Sequence, residues 1–133
     1  MSASSRAVQL LSAARVAVRE ARGNLAKYEL DTIKLETATP RSNDYMVRTS
    51  LSQNIISVAE NLNGVKDASI RSQFPKVFGG IYDIVGQRNI LAHQYGHADE
   101  KIDWGKIWTT IHDTYPELES AIDNAIEELE LVD

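Results

Sequence analysis

Cysteine is absent from the 133 residues, which excludes disulfide staples, thiolate nucleophiles and cysteine-based zinc sites. A reducing compartment suits such a chain, and the cytoplasm is the expected location. Long hydrophobic runs are missing too: nothing approaches the ~18 apolar residues that a membrane span needs. Met1–Arg6 is a short Ser-rich start without an apolar core, so neither insertion nor export is expected. Basic residues are the minority, 14 Lys+Arg against 19 Asp+Glu for a net charge of -5. That balance argues against broad, sequence-independent clamping of nucleic-acid phosphates and leaves room for a local basic site. β-Branched residues never alternate with polar ones for long enough to make a strand. What remains, 43% hydrophobic and 25% charged over residues 1–133, is the composition of one helical domain.

Apolar spacing organises the chain. Leu11, Ala14, Val18, Ala21, Leu25, Tyr28 and Leu35 form the seam of one long amphipathic helix, and Thr37–Asp44, with Pro40 and then Ser42, Asn43 and Asp44, breaks it and caps the next. Leu51, Ile55, Val58 and Leu62 mark a second helix over about Tyr45–Leu62, closed by Asn63-Gly64. A third series, Ile70, Phe74, Val77, Ile81 and Ile84, continues through Pro75 and through Gly79-Gly80, where a kink or close helix approach is expected. Asp103 caps a shorter element with Trp104, Ile107, Trp108 and Ile111, and Pro116 starts a last helix holding Leu118, Ile122, Ala125 and Leu129. Glu117 and Glu119 suit its N-terminal dipole, and Glu127 to Asp133 reads as a solvated helix end. The expected fold is all-α, an antiparallel up-and-down bundle of four to five helices.

One stretch departs from a plain bundle: Arg88-Asn89-Ile90-Leu91-Ala92-His93-Gln94-Tyr95-Gly96. A step of four from Ile84 puts Arg88 on the inward seam, where a permanent charge needs a carboxylate or a polar cavity. A salt-bridged or snorkelling arginine is the plain structural alternative. Asn89 and His93 share a face, so the amide can orient the imidazole. Arg88 and His93 are five residues apart, a turn of roughly 140° on a straight helix, which does not aim both at one small target. Either the helix ends near Gly96 and His93 turns inward, or two copies combine their pairs in a shared cleft.

Other constellations are weaker. His93 and His97 with Asp99 and Glu100 make half a zinc site, lacking a third strong ligand and interrupted by Gly96. No metal and no cofactor is expected. His112 reads as a packing or surface histidine, Tyr45, Tyr82 and Tyr115 as packing residues, and Trp104 and Trp108 as core or interface anchors. Gly79-Gly80 and Gly86 lack the context of a phosphate-binding loop.

Arg88-Asn89-x-x-x-His93-x-Tyr95 resembles the R-x4-H-x-Y motif of the HEPN superfamily. With the helix order around it, then Ile102-Asp103-Trp104, Trp108 and a Pro-started helix, nearly the whole chain is similar to HepT-type toxins. The resemblance implies a homodimeric, metal-independent endoribonuclease with a composite active site, the toxin partner of a minimal nucleotidyltransferase antitoxin that attaches AMP to the motif tyrosine. Carried over, Arg88 binds the scissile phosphate, His93 is the general base or acid, Asn89 holds the imidazole, and Tyr95 is the modified residue. RNA brings its own nucleophile, the 2'-hydroxyl, so a proton acceptor and a fixed positive charge suffice. Arg41, Arg48, Lys66 and Arg71 are further candidates for RNA contact. The competing reading is a non-catalytic helical dimer that serves as docking partner and substrate of a nucleotidyltransferase.

Overall fold

A computed structural model describes residues 2–93 and 102–132, which fold as an all-α bundle; no strand occurs among them. Helix α1, Ala3–Lys27, is the central rod. Ser2 caps it by accepting the Ser5 N–H at 3.0 Å, and its seam of Ala7, Leu11, Ala14, Val18, Ala21 and Leu25 is buried against α3, Asn43–Asn63, and α8, Tyr115–Val132. Arg15, Arg19 and Arg22, one turn apart, reach across to α8: Arg15 to Asp123 at 2.9 Å, Arg19 and Arg22 to Glu119 at 3.3 and 2.9 Å. Glu119 therefore serves an interhelical ladder rather than its own helix dipole. These half-exposed pairs orient the two helices more than they stabilise them.

The first helix is shorter than the apolar spacing suggests. The seven-residue interval from Tyr28 to Leu35 conceals a break: Glu29 adopts φ 49°, Leu30 N–H donates to Leu25 O at 3.0 Å and Glu29 N–H to Ala26 O at 3.2 Å. This is a Schellman termination, its Leu25 and Leu30 both buried. Tyr28, placed on the seam by spacing alone, is consequently exposed. Asp31 caps a separate short helix α2, Thr32–Thr37, whose Leu35 fills the core. Ser42 then caps α3, and Gly64 ends it.

The third apolar series is divided into three helices. α4, Ala68–Gln73, is capped by Asp67; Pro75 opens α5, Pro75–Phe78; and α6 runs Ile81–His93. Phe74, before the proline, takes φ -122° and ψ 68°, away from the helical basin as Pro Cδ requires. The kink expected at Gly79-Gly80 is present. Gly79 N–H closes on Pro75 O at 2.7 Å, and a Cβ there would lie 2.6 Å from that carbonyl oxygen.

Pro116 does not start the last helix. Asp103 caps α7, Trp104–Thr109, a π-helical turn spans Thr110–Thr114, and α8 follows, so the chain stays helical from Trp104 to Val132. Tyr115 N–H bonds to Thr110 O, five residues back, which offsets the hydrogen-bond ladder just before the proline that has no donor to give. Ile107, Ile111, Tyr115, Leu118, Ile122, Ala125 and Leu129 line the buried side of this element. Glu127, Glu128 and Glu130 are exposed on the far side, as a solvated helix end.

Candidate active site

Arg88, Asn89 and His93 of the motif lie on α6, which rests along α3. Its inward line runs Ile81, Ile84, Gln87, Leu91, in steps of three, three and four. Arg88 is therefore not the seam residue: Gln87, 7% exposed, takes the inward place, and Arg88 sits about 100° around the helix, half-buried at its edge. A neutral amide is far cheaper to bury than a permanent charge. Gln87 Nε2 donates to Thr110 Oγ1 at 2.8 Å.

Arg88 directs two donors at one acceptor. Its Nη2 and Nε lie 3.0 and 3.3 Å from Asn89 Oδ1, so the exposed asparagine braces the guanidinium. Among the described residues Arg88 has no carboxylate partner. α6 remains helical through His93, but the side chain of His93 lies outside the described residues, as do Tyr95, His97, Asp99 and Glu100. The expected meeting of Asn89 with the imidazole, and the reading of His93 and His97 as metal ligands, therefore also lie outside the described residues. Among the described residues no group of three or more His, Asp or Glu side chains is placed to hold a metal ion.

Two clefts flank the motif helix on the side away from α3. A wide one of about 1020 Å³ opens between α5 and α6 on one wall and the π turn and α8 on the other; a small one of about 140 Å³ lies between α6, Ile102 and α7. Tyr82 and Ile90 on α6 are 90% and 45% exposed with Gly86 between them. Tyr82 is thus not a packing residue. It is two turns before Ile90 on one flank, and that flank is turned to solvent.

The other candidates separate into two groups. Arg48 lies between the rings of Tyr45 and Trp104, 4.8 and 4.7 Å from their centroids, and donates to Leu35 O at 2.9 Å. Arg71 clamps the end of α3, donating to Val65 O and, at 3.1 Å, to Asn63 O, with Phe78 beneath it. Both hold the fold together. Arg41 and Lys66 are exposed. His112 stacks on Trp108 at 4.3 Å and contacts Asp113 at 2.7 Å, in keeping with a surface packing role. Trp104 is buried, and Trp108 Nε1 donates to Leu30 O at 3.0 Å, so both anchor the fold. Tyr115 is buried as expected, and burial pushes its phenol above the ordinary value. Spacing missed Gln87, although it stands three after Ile84 and four before Leu91, the same interval that was used to place Arg88.

A family model described as Ribonuclease HepT-like matches residues 29–125, from the end of α1 into α8 and across the whole motif. No curated protein and no solved structure matches the chain.

Proposed function

The chain belongs to the HepT-like ribonuclease family, and from that premise we propose that it is a metal-independent endoribonuclease toxin acting as a single domain in the cytoplasm. The observation that carries this reading is the half-buried Arg88, braced by Asn89 and without a carboxylate among the described residues. A guanidinium held in that way is a phosphate receptor in waiting.

In the proposed reaction the ribose 2'-hydroxyl attacks the adjacent phosphorus, His93 accepts its proton, and Arg88 neutralises the charge that builds on the phosphorane oxygens. The 5'-oxygen leaves with a proton donated by a His93 imidazolium, giving a 2',3'-cyclic phosphate and a 5'-hydroxyl end. DNA, without the hydroxyl, is not cut. Because Asn89 Oδ1 is engaged by Arg88, its amide nitrogen is the group that would steady the imidazole. The active unit is a homodimer whose two copies combine their Arg88 and His93 pairs in a shared cleft. A minimal nucleotidyltransferase neutralises the toxin by attaching AMP to Tyr95, which brings phosphate charge to Arg88 and a nucleoside into the path of RNA.

Purified protein incubated with total tRNA and a single-stranded RNA in excess EDTA, beside His93→Ala, tests the reading. Cleavage leaving cyclic phosphate ends, lost in His93→Ala, is the expected result. No cleavage by protein whose Tyr95 is unmodified and whose dimer is intact would overturn it in favour of the docking module.

A further inference from the structure

Helix α6 carries Arg88 and Asn89 yet is supported unevenly. It packs along α3, while the two clefts separate it from the π turn and α8 on one side and from α7 on the other. Gln87 contributes to the walls of both clefts, and at this point the gap is bridged. Its Nε2 donates to Thr110 Oγ1 at 2.8 Å, and that hydroxyl spends its own proton on Lys106 O at 2.9 Å. The acceptor is therefore fixed in direction as well as in place. Thr110 is also the first residue of the π turn.

We infer that Gln87 is the positioning residue of this site, a strut that sets the rotation of α6 and with it the aim of Arg88 and Asn89. The inference rests on the ribonuclease reading for its catalytic consequence. Ordinary apolar contact on α3 holds the helix down but tolerates rolling, whereas a hydrogen bond of defined length does not. A roll of about 15° carries a guanidinium some 6 Å from the helix axis through about 1.5 Å, and a displacement of ~1 Å is enough to cost about 100-fold in rate. Gln87 touches no reacting atom in this scheme; it acts through its neighbours.

Four variants test the strut: Gln87→Leu, Thr110→Val, both together, and Thr110→Ser. Leucine and valine keep the volume and remove the bond, while serine keeps the hydroxyl. The expected result is a fall in kcat of about 10- to 100-fold for Gln87→Leu and for Thr110→Val alike, with KM near wild type, a melting temperature near wild type in Gln87→Leu and several degrees lower in Thr110→Val, where the buried Gln87 amide loses its partner, and the double variant no slower than either single one. Thr110→Ser should restore the rate. The Arg88 Nε resonance of ¹⁵N-arginine-labelled protein should shift in the three variants that lack the bond and stay in place in Thr110→Ser. Wild-type kcat in Gln87→Leu, losses that multiply in the double variant, or losses that follow the melting temperature would overturn the inference. If wild-type protein cuts no RNA, the ribonuclease reading fails by itself, and the resonance decides whether Gln87 positions Arg88: a shift supports it and its absence refutes it.

Discussion

Substituting Arg48 separates a cation that serves the fold from one that serves RNA. Its guanidinium is held between the Tyr45 and Trp104 rings and donates to Leu35 O, so one side chain ties α3 to α2 and α7. Leu35 O belongs to the last turn of α2, where carbonyls have no helical partner. A hydrogen bond from a charged donor contributes about 1.5 kcal/mol and each cation–π contact at a half-buried site about 0.5–1 kcal/mol. Arg48→Ala should therefore cost about 3 kcal/mol, and Arg48→Lys, which keeps the charge but loses the planar stack, about half of that. At roughly 4 °C per kcal/mol for a chain of this size, the alanine variant should melt about 12 °C lower. Urea unfolding followed by tryptophan fluorescence suits the measurement, since the buried ring of Trp104 is part of the contact. RNA cleavage by Arg48→Lys, assayed well below its melting point, should stay close to wild type. An alanine variant within about 0.5 kcal/mol of wild type, the range of ordinary surface changes, would refute the energetic reasoning. A lysine variant with native stability and lost cleavage would show that the guanidinium serves RNA instead.

Three further outcomes follow from the geometry. The Tyr115 phenol is raised by burial, so the folded state holds its proton where the unfolded state releases it; stability is full below about pH 10 and falls above it by about 1.4 kcal/mol per pH unit, a slope that denaturant titrations should find reduced in Tyr115→Phe. Gly79→Ala should destabilise by about 2 kcal/mol in thermal or urea unfolding because its Cβ meets a backbone oxygen, whereas Gly80→Ala, with nothing within 4 Å, should be neutral or stabilising by about 0.5 kcal/mol. Glu29→Gly should raise the urea midpoint by an amount equivalent to about 0.5–1 kcal/mol, since glycine takes the left-handed backbone at φ 49° without penalty.

Much of the core was legible in the order of residues. Leu51, Ile55, Val58 and Leu62 are all fully buried, as are Leu11, Ala14, Val18 and Ala21, because a period near 3.6 leaves a long helix only one side to hide. Asp103 and Ser42 cap the helices that their chemistry announced. Breaks were harder to read. The Schellman turn uses Glu29 where glycine is the usual signal, and the π turn carries Pro116 inside a helix where proline ordinarily marks a start. At the site, periodicity identified the helix and the face but not the residue: steps of three and of four from Ile84 are equally helical, and packing chose Gln87 over Arg88. The bond from Gln87 to Thr110 spans 23 positions and leaves no local trace in the sequence.

The π turn also bears on how this chain tolerates changes of length. A helix with a widened turn already contains one residue more than a regular ladder needs, and Thr110–Thr114 is where that surplus is stored. Loss of one residue within this stretch tightens the turn while Trp104 and Ile107 above it, and Leu118 and Ile122 below it, keep facing the core. The same loss within residues 119–128 swings every later apolar side chain by about 100°, out of the bundle and into water. A single-residue deletion, usually accommodated by loops, is here accommodated within an unbroken helix.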